Sequence, residues 1–408
     1  MKPTDARRAT MLAVGLLAMA IVNSPSLVEQ VLSLDWYVGN LRPVVYTLQG
    51  ILVLLAIGCY LARRRVDAAL LCAFPTRRHV IMAIGTLALA VSLVLGVLEV
   101  TLRLLEKPYK KAPPPAQGGF THFDRELGWS YIPYYSGRHT FGKNPREVPL
   151  YFDGIGARVA TPQYRADHRV PTLMLVGGSF TMGHGVTYEE SLAGQLEVIP
   201  GFPLQVVNLG VQAFGTDQSF LMLKRHLVQF PVRAVVYTFI CPHVRRNTKD
   251  GRRSRGTKPR FALQSDGTLY LAQRPLLNED WAPSPLLAYL RLFLQEYGPI
   301  PNLKLTRALV AEMRNLVERN GATFLVLYWD LSYSGGKQAQ LAQRTCGHTP
   351  FKGMQLNMIN TADHQPAGWD EWRVAGDGHP DERAYRHLAP ILATELRGLG
   401  ALPLTLSK

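Results

Sequence analysis

A serine, a histidine and an aspartate in this 408-residue chain have the chemical types needed for acyl transfer through a covalent intermediate. Ser179 follows an apolar run at 173–176 and two glycines, and further glycines stand at 183 and 185. Glycine permits the strained turn that lifts one hydroxyl out of a buried strand end. The pattern predicts a nucleophilic serine at the carboxyl end of a strand, although an ordinary strand-to-helix turn would leave the same pattern.

The partners that such a serine needs stand near the C-terminus, as Asp377-Gly378-His379 before a helix-like run at 382–396. A serine hydroxyl is a poor nucleophile near neutral pH and needs a base. An imidazole oriented by a carboxylate is the usual base. We therefore predict Ser179 as nucleophile, His379 as base and Asp377 as the carboxylate that orients it. The plainer alternatives are a loop histidine and a capping or turn aspartate.

Four sequence blocks, the first and last of which contain these residues, resemble the SGNH/GDSL hydrolase superfamily, in a membrane-anchored bacterial branch. The resemblance covers roughly residues 123–396, and the blocks occur in the family's order. They are GGSFTMGHGV at 177–186, VVNLGVQAFGTDQ at 206–218, AVVYTFICPHVRRN at 234–247 and GDGHPDERAY at 376–385.

The resemblance implies the groups that would bind the substrate and the developing oxyanion. These are the backbone N–H groups of Ser179 and Gly210, with Asn208 beside them. Two positions depart from the family pattern: Gly178 stands where an aspartate is usual, and the third block lacks its usual asparagine. His243 is expected to donate in place of that asparagine. No cofactor and no metal is predicted.

The first 105 residues are predicted to form a membrane anchor with about three transmembrane helices, at 9–34, 44–62 and 80–104. Each run approaches the roughly 20 residues that cross a hydrocarbon core. Arginines at 63–65 and 77–78 place the connection between the second and third spans, expected to be a short basic loop, in the cytoplasm. We therefore expect a bacterial inner-membrane protein whose catalytic domain is periplasmic. The first run also fits a signal peptide with a cleavage site at 18–20.

A Pro/Gly linker at 106–119 precedes the domain predicted at 120–400. From residue 172 onward, strand-like and helix-like runs alternate, whereas 120–170 is predicted as short strands and loops. Alternation predicts an α/β fold with a doubly wound parallel sheet, SGNH hydrolase-like, with flavodoxin-like three-layer architecture. Such sheets hold their sites at the carboxyl ends of the strands, where Ser179, Gly210 and His243 are expected.

The formal net charge of +15 does not indicate a nucleic-acid partner, because the basic residues flank apolar runs and crowd one insertion at 245–300. That insertion is either a solvated basic loop or a lip that attracts an anionic polymer. Of four cysteines, only Cys241 and Cys346 lie in the predicted soluble part, and the sequence leaves open whether they pair.

Together these features predict a membrane-anchored extracytoplasmic serine esterase or O-acyl (acetyl) transferase that acts on an ester of a cell-envelope glycan. Its predicted partners are the membrane and an acylated carbohydrate or other ester. The departures at Gly178 and in the third block motivate an alternative, a catalytically degenerate SGNH-like module that binds or scaffolds envelope polysaccharide.

Overall fold

A computed structural model describes residues 7–22, 42–73, 76–105, 119–141, 146–249, 251–252, 256–275, 284, 286, 303–331 and 342–402. The chain forms two compact units, one of residues 1–110 with 279–301 and the other of residues 111–278 with 302–408. Residues 276–302 of the predicted catalytic domain, apart from 284 and 286, lie outside the described residues.

In the N-terminal unit the described residues form the helices α1 (Arg7–Val22), α2 (Arg42–Leu61), α3 (Arg63–Ala73) and α4 (Arg77–Leu105). Within α4, Arg78–Thr101 is long and apolar enough to cross a membrane. The pair Tyr46–Leu61 and Arg63–Cys72 meets the same criterion only as one span with an 89° bend. Among the described residues the fold thus offers one or two candidate spans, where the sequence predicted about three.

One predicted connection in this unit differs from the structure. The arginine-rich segment at 63–65 begins helix α3, whereas the sequence predicted a loop, because arginine, alanine and leucine all favour helix. The carboxylate of Asp67 in α3 accepts the backbone N–H groups of Arg8 and Ala9, which ties the start of α1 to α3. Helix α1 ends at Val22, and the rest of the predicted first span lies outside the described residues.

The second unit is built on an eight-stranded sheet with helices between its strands. The strands are β1 (Thr121–Asp124), β2 (Gly128–Tyr131), β3 (Ser136–Thr140), β4 (Glu147–Phe152), β5 (Arg158–Val159), β6 (Thr172–Gly177), β7 (Gln205–Gly210), β8 (Val232–Ile240), β9 (Gly251–Arg252), β10 (Gly256–Thr257), β11 (Arg260–Leu263), β12 (Leu269–Gln273), β13 (Thr323–Trp329) and β14 (Asn357–Asn360). The helices are α5 (Ser179–Met182), α6 (Leu192–Glu197), α7 (Thr216–His226), α8 (Pro242–Thr248), α9 (Lys304–Arg319) and α10 (Glu382–Gly398).

The strand order in the large sheet is β14-β13-β8-β6-β7-β5-β4-β3. The first five of these strands are parallel, and β5, β4 and β3 extend the sheet as an antiparallel meander. Taken in chain order, the parallel strands have the arrangement 2-1-3-4-5 of a flavodoxin-like sheet, which binds ligands where the order reverses, beside its first strand. The fold is therefore mixed α/β with a largely parallel sheet, and β6 is that first strand.

The basic insertion begins with α8 and continues through the short hairpins β9–β10 and β11–β12. It is not simply a solvated loop, because Lys258 is buried and forms an ion pair with the buried carboxylate of Asp217 in α7. Burial disfavours the ionised carboxylate of Asp217. Separating Lys258 from Asp217 would leave an unpaired buried charge, which is energetically costly, so the ion pair holds this part of the insertion against α7.

A disulfide joins Cys241, immediately before α8, to Cys346, so the pairing that the sequence left open is formed. Replacing both cysteines by serine is expected to lower the free energy of unfolding by about 3 kcal/mol, because the cross-link closes a long loop and restricts the unfolded chain. Urea unfolding of the full chain in detergent micelles measures this change. Cys59→Ser, which removes a free cysteine, is the control, and equal midpoints for the double variant and the control would contradict the expectation.

Candidate active site

The nucleophile turn, defined here as residues 177–186, begins where β6 ends. Gly177 has a φ of +152°, and a Cβ atom on it would lie 2.2 Å from Oγ1 of Thr181. Only glycine fits both the dihedral angle and the contact. Ser179 is the first residue of α5 and is 5% exposed. The turn therefore presents Ser179 at the carboxyl end of β6.

A buried arginine holds this turn against the sheet. Arg158, from the antiparallel strand β5, donates from Nη1 to the carbonyl oxygens of Met182 (2.7 Å) and Gly183 (2.6 Å) and from Nη2 to that of Val186 (2.6 Å). Burial lowers the pKa of Arg158 to about 10, so the side chain stays charged at neutral pH. The last carbonyls of a helix lack intrahelical partners, and here the guanidinium supplies them.

Ser179, His379 and Asp377 form a continuous chain of hydrogen bonds. The Oγ atom of Ser179 lies 2.7 Å from Nε2 of His379, and Nδ1 of His379 lies 2.5 Å from Oδ1 of Asp377. An ionised carboxylate only accepts, so Nδ1 carries the ring proton and Nε2 is left to accept from the serine hydroxyl. The three residues, 200 positions apart at the extremes, thus meet in the arrangement of a nucleophile, its base and an orienting carboxylate.

Asp377 is held in its ionised form. The ring N–H of His379 donates to Oδ1 of the Asp377 carboxylate, and the backbone N–H of His379 donates to the same oxygen at 3.1 Å. The backbone N–H of Asp377 donates to the carbonyl oxygen of Val374. The hydrogen bond from the His379 ring is the main reason why the pKa of Asp377 lies well below its usual range, and burial opposes it only in part. The carboxylate therefore remains charged wherever an imidazole base would operate.

The predicted oxyanion roles of Gly210 and Asn208 do not hold in this structure. The N–H of Gly210 donates to Oδ1 of Asn208 at 3.1 Å, and Nδ2 of Asn208 donates to the carbonyl of Thr181 at 3.0 Å. A Cβ atom on Gly210 would lie 2.4 Å from the backbone nitrogen of Met182. Both residues therefore connect β7 to α5, and they help to fix the position of the nucleophile turn.

His243 lies directly behind the nucleophile turn, in α8. Its Nδ1 is 2.9 Å from the hydroxyl of Tyr237, and the residue is 1% exposed. A Cβ atom on Gly178 would lie 3.2 Å from Nε2 of His243 and 3.4 Å from Nη1 of Arg246. A side chain at position 178 would therefore crowd His243 and Arg246, which would have to give way by a few tenths of an ångström.

The structure brings one further residue, His184, to the site; its position in the sequence is equally that of a surface histidine or of a substrate contact. His184, at the end of the nucleophile turn, directs Nε2 to Oδ2 of Asp377 at 3.1 Å, and its ring lies 4.0 Å from that of His379. Burial, with His379 beside it, lowers the pKa of His184 to about 4. The sequence shows only that His184 belongs to the same block as Ser179. It does not show the carboxylate partner of His184, which is 193 residues away in the chain.

His184, Asp377 and His379 have potential metal-ligating atoms within 4.8 Å of one another. Hydrogen bonds account for both imidazole–carboxylate contacts in this trio. A metal on Nδ1 of His379 would displace the proton that the carboxylate now accepts. The donor set is therefore better explained as a proton-handling site than as a metal site.

Compared with protein-family models and with curated proteins, the chain matches none. Among solved structures it is similar to a protein of the G-D-S-L family from Desulfitobacterium hafniense DCB-2, described as lipolytic, and to TesA. The identities are 11% and 16%, the similarity covers 55% and 56% of this chain and 99% of each other chain, and both TM-scores are 0.34. A G-D-S-L protein is thus among the solved structures to which this chain is similar.

Proposed function

We propose that this protein is a membrane-anchored serine esterase or O-acyltransferase. The observation that carries the proposal is the hydrogen-bond chain from Ser179 through His379 to Asp377. Ser179 Oγ attacks an ester carbonyl while Nε2 of His379 takes its proton. The imidazolium then returns that proton to the departing alcohol, and Asp377 stabilises the imidazolium meanwhile. Water or a sugar hydroxyl completes the cycle by attacking the acyl-enzyme.

The developing oxyanion needs hydrogen-bond donors, and those of Gly210 and Asn208 are already used within the fold. The N–H of Ser179 stands at the first position of α5, where helical N–H groups have no intrahelical partner. The side chains of His243 and Arg246 approach the preceding residue, Gly178, from α8. A cationic or imidazole donor in place of the family's asparagine would serve the same purpose, since one such donor contributes on the order of a hundredfold in rate.

Two features support an extracytoplasmic site and a glycan ester as substrate. The disulfide between Cys241 and Cys346 is of a kind that persists in oxidising compartments, which include the bacterial periplasm. Helix α4 carries the candidate membrane span Arg78–Thr101 ahead of the domain. A periplasmic domain tethered to the inner membrane has cell-envelope polymers as neighbours, and their O-acyl groups are esters of the type that a serine site attacks.

The alternative, a degenerate module that binds polysaccharide through its basic insertion, is less well supported. Loss of catalysis would be expected to relax the geometry of the base and its carboxylate, whereas both contacts are short. Part of the insertion's charge is also used internally, since Lys258 pairs with Asp217 and Arg246 donates to the carbonyl of Phe214.

A fluorophosphonate probe tests the proposal on the full chain in detergent micelles. We expect covalent label on Ser179, located by mass spectrometry, and loss of that label in Ser179→Ala. His379→Ala is expected to slow labelling by at least about a thousandfold, because the base is removed.

The matched control is Ser191→Ala, which alters a buried serine that caps α6 and is not expected to change labelling. Label on another serine, or none on the folded wild type, would reject the serine mechanism. Hydrolysis of acetylated envelope glycan by the wild type, with and without an acceptor sugar, then separates esterase from transferase.

A further inference from the structure

His184 sits on the free side of the Asp377 carboxylate. Oδ1 of that carboxylate accepts from His379, and Oδ2 accepts from Nε2 of His184 at 3.1 Å. Two imidazoles thus share one carboxylate, one on each oxygen. A carboxylate held at one oxygen can rotate, whereas one held at both has a fixed plane.

Gln212 selects the tautomer of His184. The side-chain amide nitrogen of Gln212 lies 2.8 Å from Nδ1 of His184, and an amide N–H can only donate. Nδ1 must therefore be the acceptor, which puts the ring proton of neutral His184 on Nε2. That proton is the one that Asp377 accepts.

Gln212 is itself fixed by the N-terminal hairpin of the domain. Its backbone N–H donates to the hydroxyl of Tyr131 at 2.8 Å, and its carbonyl accepts from Nε1 of Trp129 at 3.0 Å. The next residue, Ala213, has a φ of +69°, a conformation that non-glycine residues adopt only where the surroundings impose it. The loop after β7 is thus held in an unfavourable conformation that presents Gln212 to His184.

We propose that His184 is a positioning residue for the reaction proposed above, fixed in one tautomer by Gln212 so that its Nε2–H holds Asp377 in the orientation that His379 requires. The ring is packed edge-on against Phe141 at 4.4 Å and beside His379 at 4.0 Å. The charged and titratable groups that face His184 are Asp377, His379 and Arg158. Burial, reinforced by the two cationic or potentially cationic groups among them, keeps His184 neutral, and a neutral donor is what the carboxylate needs.

The kinetic test compares His184→Phe, which keeps an aromatic ring but removes the donor, with His184→Gln, whose amide nitrogen can replace Nε2–H. We expect His184→Phe to lower the maximal rate of Ser179 labelling about 10- to 100-fold at unchanged probe affinity, because the base loses its alignment. His184→Gln should recover most of that rate.

The pH profile separates positioning from a folding defect. Without its second donor Asp377 attracts a proton on His379 more strongly, so the acid limb of the labelling rate should move to higher pH by about half to one unit in His184→Phe. His226→Phe, which changes another largely buried histidine, is the control and should leave the limb in place. An unmoved limb with a lower rate in His184→Phe would overturn the proposal.

A second measurement does not depend on the proposed reaction. Imidazole ¹⁵N NMR of the full chain in detergent micelles should show neutral His184 protonated at Nε2. Gln212→Glu, whose carboxylate accepts, should move a proton onto Nδ1. A wild-type His184 that is protonated at Nδ1 would overturn the proposal even if Ser179 proved unreactive, whereas failure of labelling with the expected tautomer would reject only the proposed function.

Discussion

Replacing Asp377 by asparagine is expected to slow the labelling of Ser179 by about a thousand- to ten-thousandfold. The carboxylate now accepts two ring protons, one from His379 and one from His184, and an asparagine amide has only one oxygen to accept with. If His184 keeps its hydrogen bond from Gln212, its Nε2–H still needs an acceptor. The oxygen of the new asparagine then faces His184, and its amide nitrogen faces His379. His379 would then carry its proton on Nε2 and face Ser179 as a donor, so the base would be lost.

Fluorophosphonate labelling rates of the full chain measure this effect. Asp381→Asn is the matched control, because Asp381 lies four residues further on and caps α10 through the N–H of Arg383, away from the base. Its labelling rate should stay within about threefold of wild type, since the change costs at most a helix cap. A wild-type labelling rate in Asp377→Asn would show that the orienting carboxylate is dispensable, and the proposed mechanism would then be wrong.

The parallel core of the fold was predictable from the sequence because buried parallel strands are continuous apolar runs. The runs at 173–176, 205–208, 234–240 and 322–328 correspond to β6, β7, β8 and β13, with ends shifted by no more than about two residues. Strand β14 was missed, because NMIN is short and half polar and lies at the edge of the sheet. The 120–170 segment was predicted as short strands, but its addition to the sheet depends on a single ladder contact between Arg158 and Asn208.

Some residues of the site belong to local sequence patterns, whereas others are defined by contacts between segments that are far apart in the chain. Ser179, Asp377 and His379 could be predicted as partners because glycine spacing and the i,i+2 pair are local patterns, and the structure brings the three within hydrogen-bond distance. The roles predicted for Asn208 and Gly210 fail because the Asn208 side chain bonds to the N–H two residues on, a local competition that motif comparison does not show. His184 and Arg158 were missed because the contacts that define them join segments far apart in the chain.

The second large effect is expected at Arg158, where methionine should lower the free energy of unfolding by about 3–5 kcal/mol. Methionine fills much of the same volume, but it leaves the buried carbonyls of Met182 and Val186 without their donor, and that of Gly183 with only a long bond from the N–H of Val186. Each unsatisfied buried acceptor costs about 1–3 kcal/mol. Because these carbonyls belong to the nucleophile turn, labelling of Ser179 should also slow in the fraction that remains folded. Urea unfolding of the full chain in detergent micelles, followed by tryptophan fluorescence, measures the stability.

Arg138→Met, in strand β3 at the edge of the sheet, is the control for loss of an arginine. Arg138 pairs with Glu147 on the surface, where both side chains are about 60% exposed, so its removal should cost less than about 1 kcal/mol. Arg158→Lys adds a second comparison, because one ammonium group keeps the charge but lacks the fork that reaches three carbonyls from two nitrogens. If charge alone mattered, lysine would restore wild-type stability and labelling. We expect it to recover only part of each, since the geometry of the guanidinium is what closes the turn that carries Ser179.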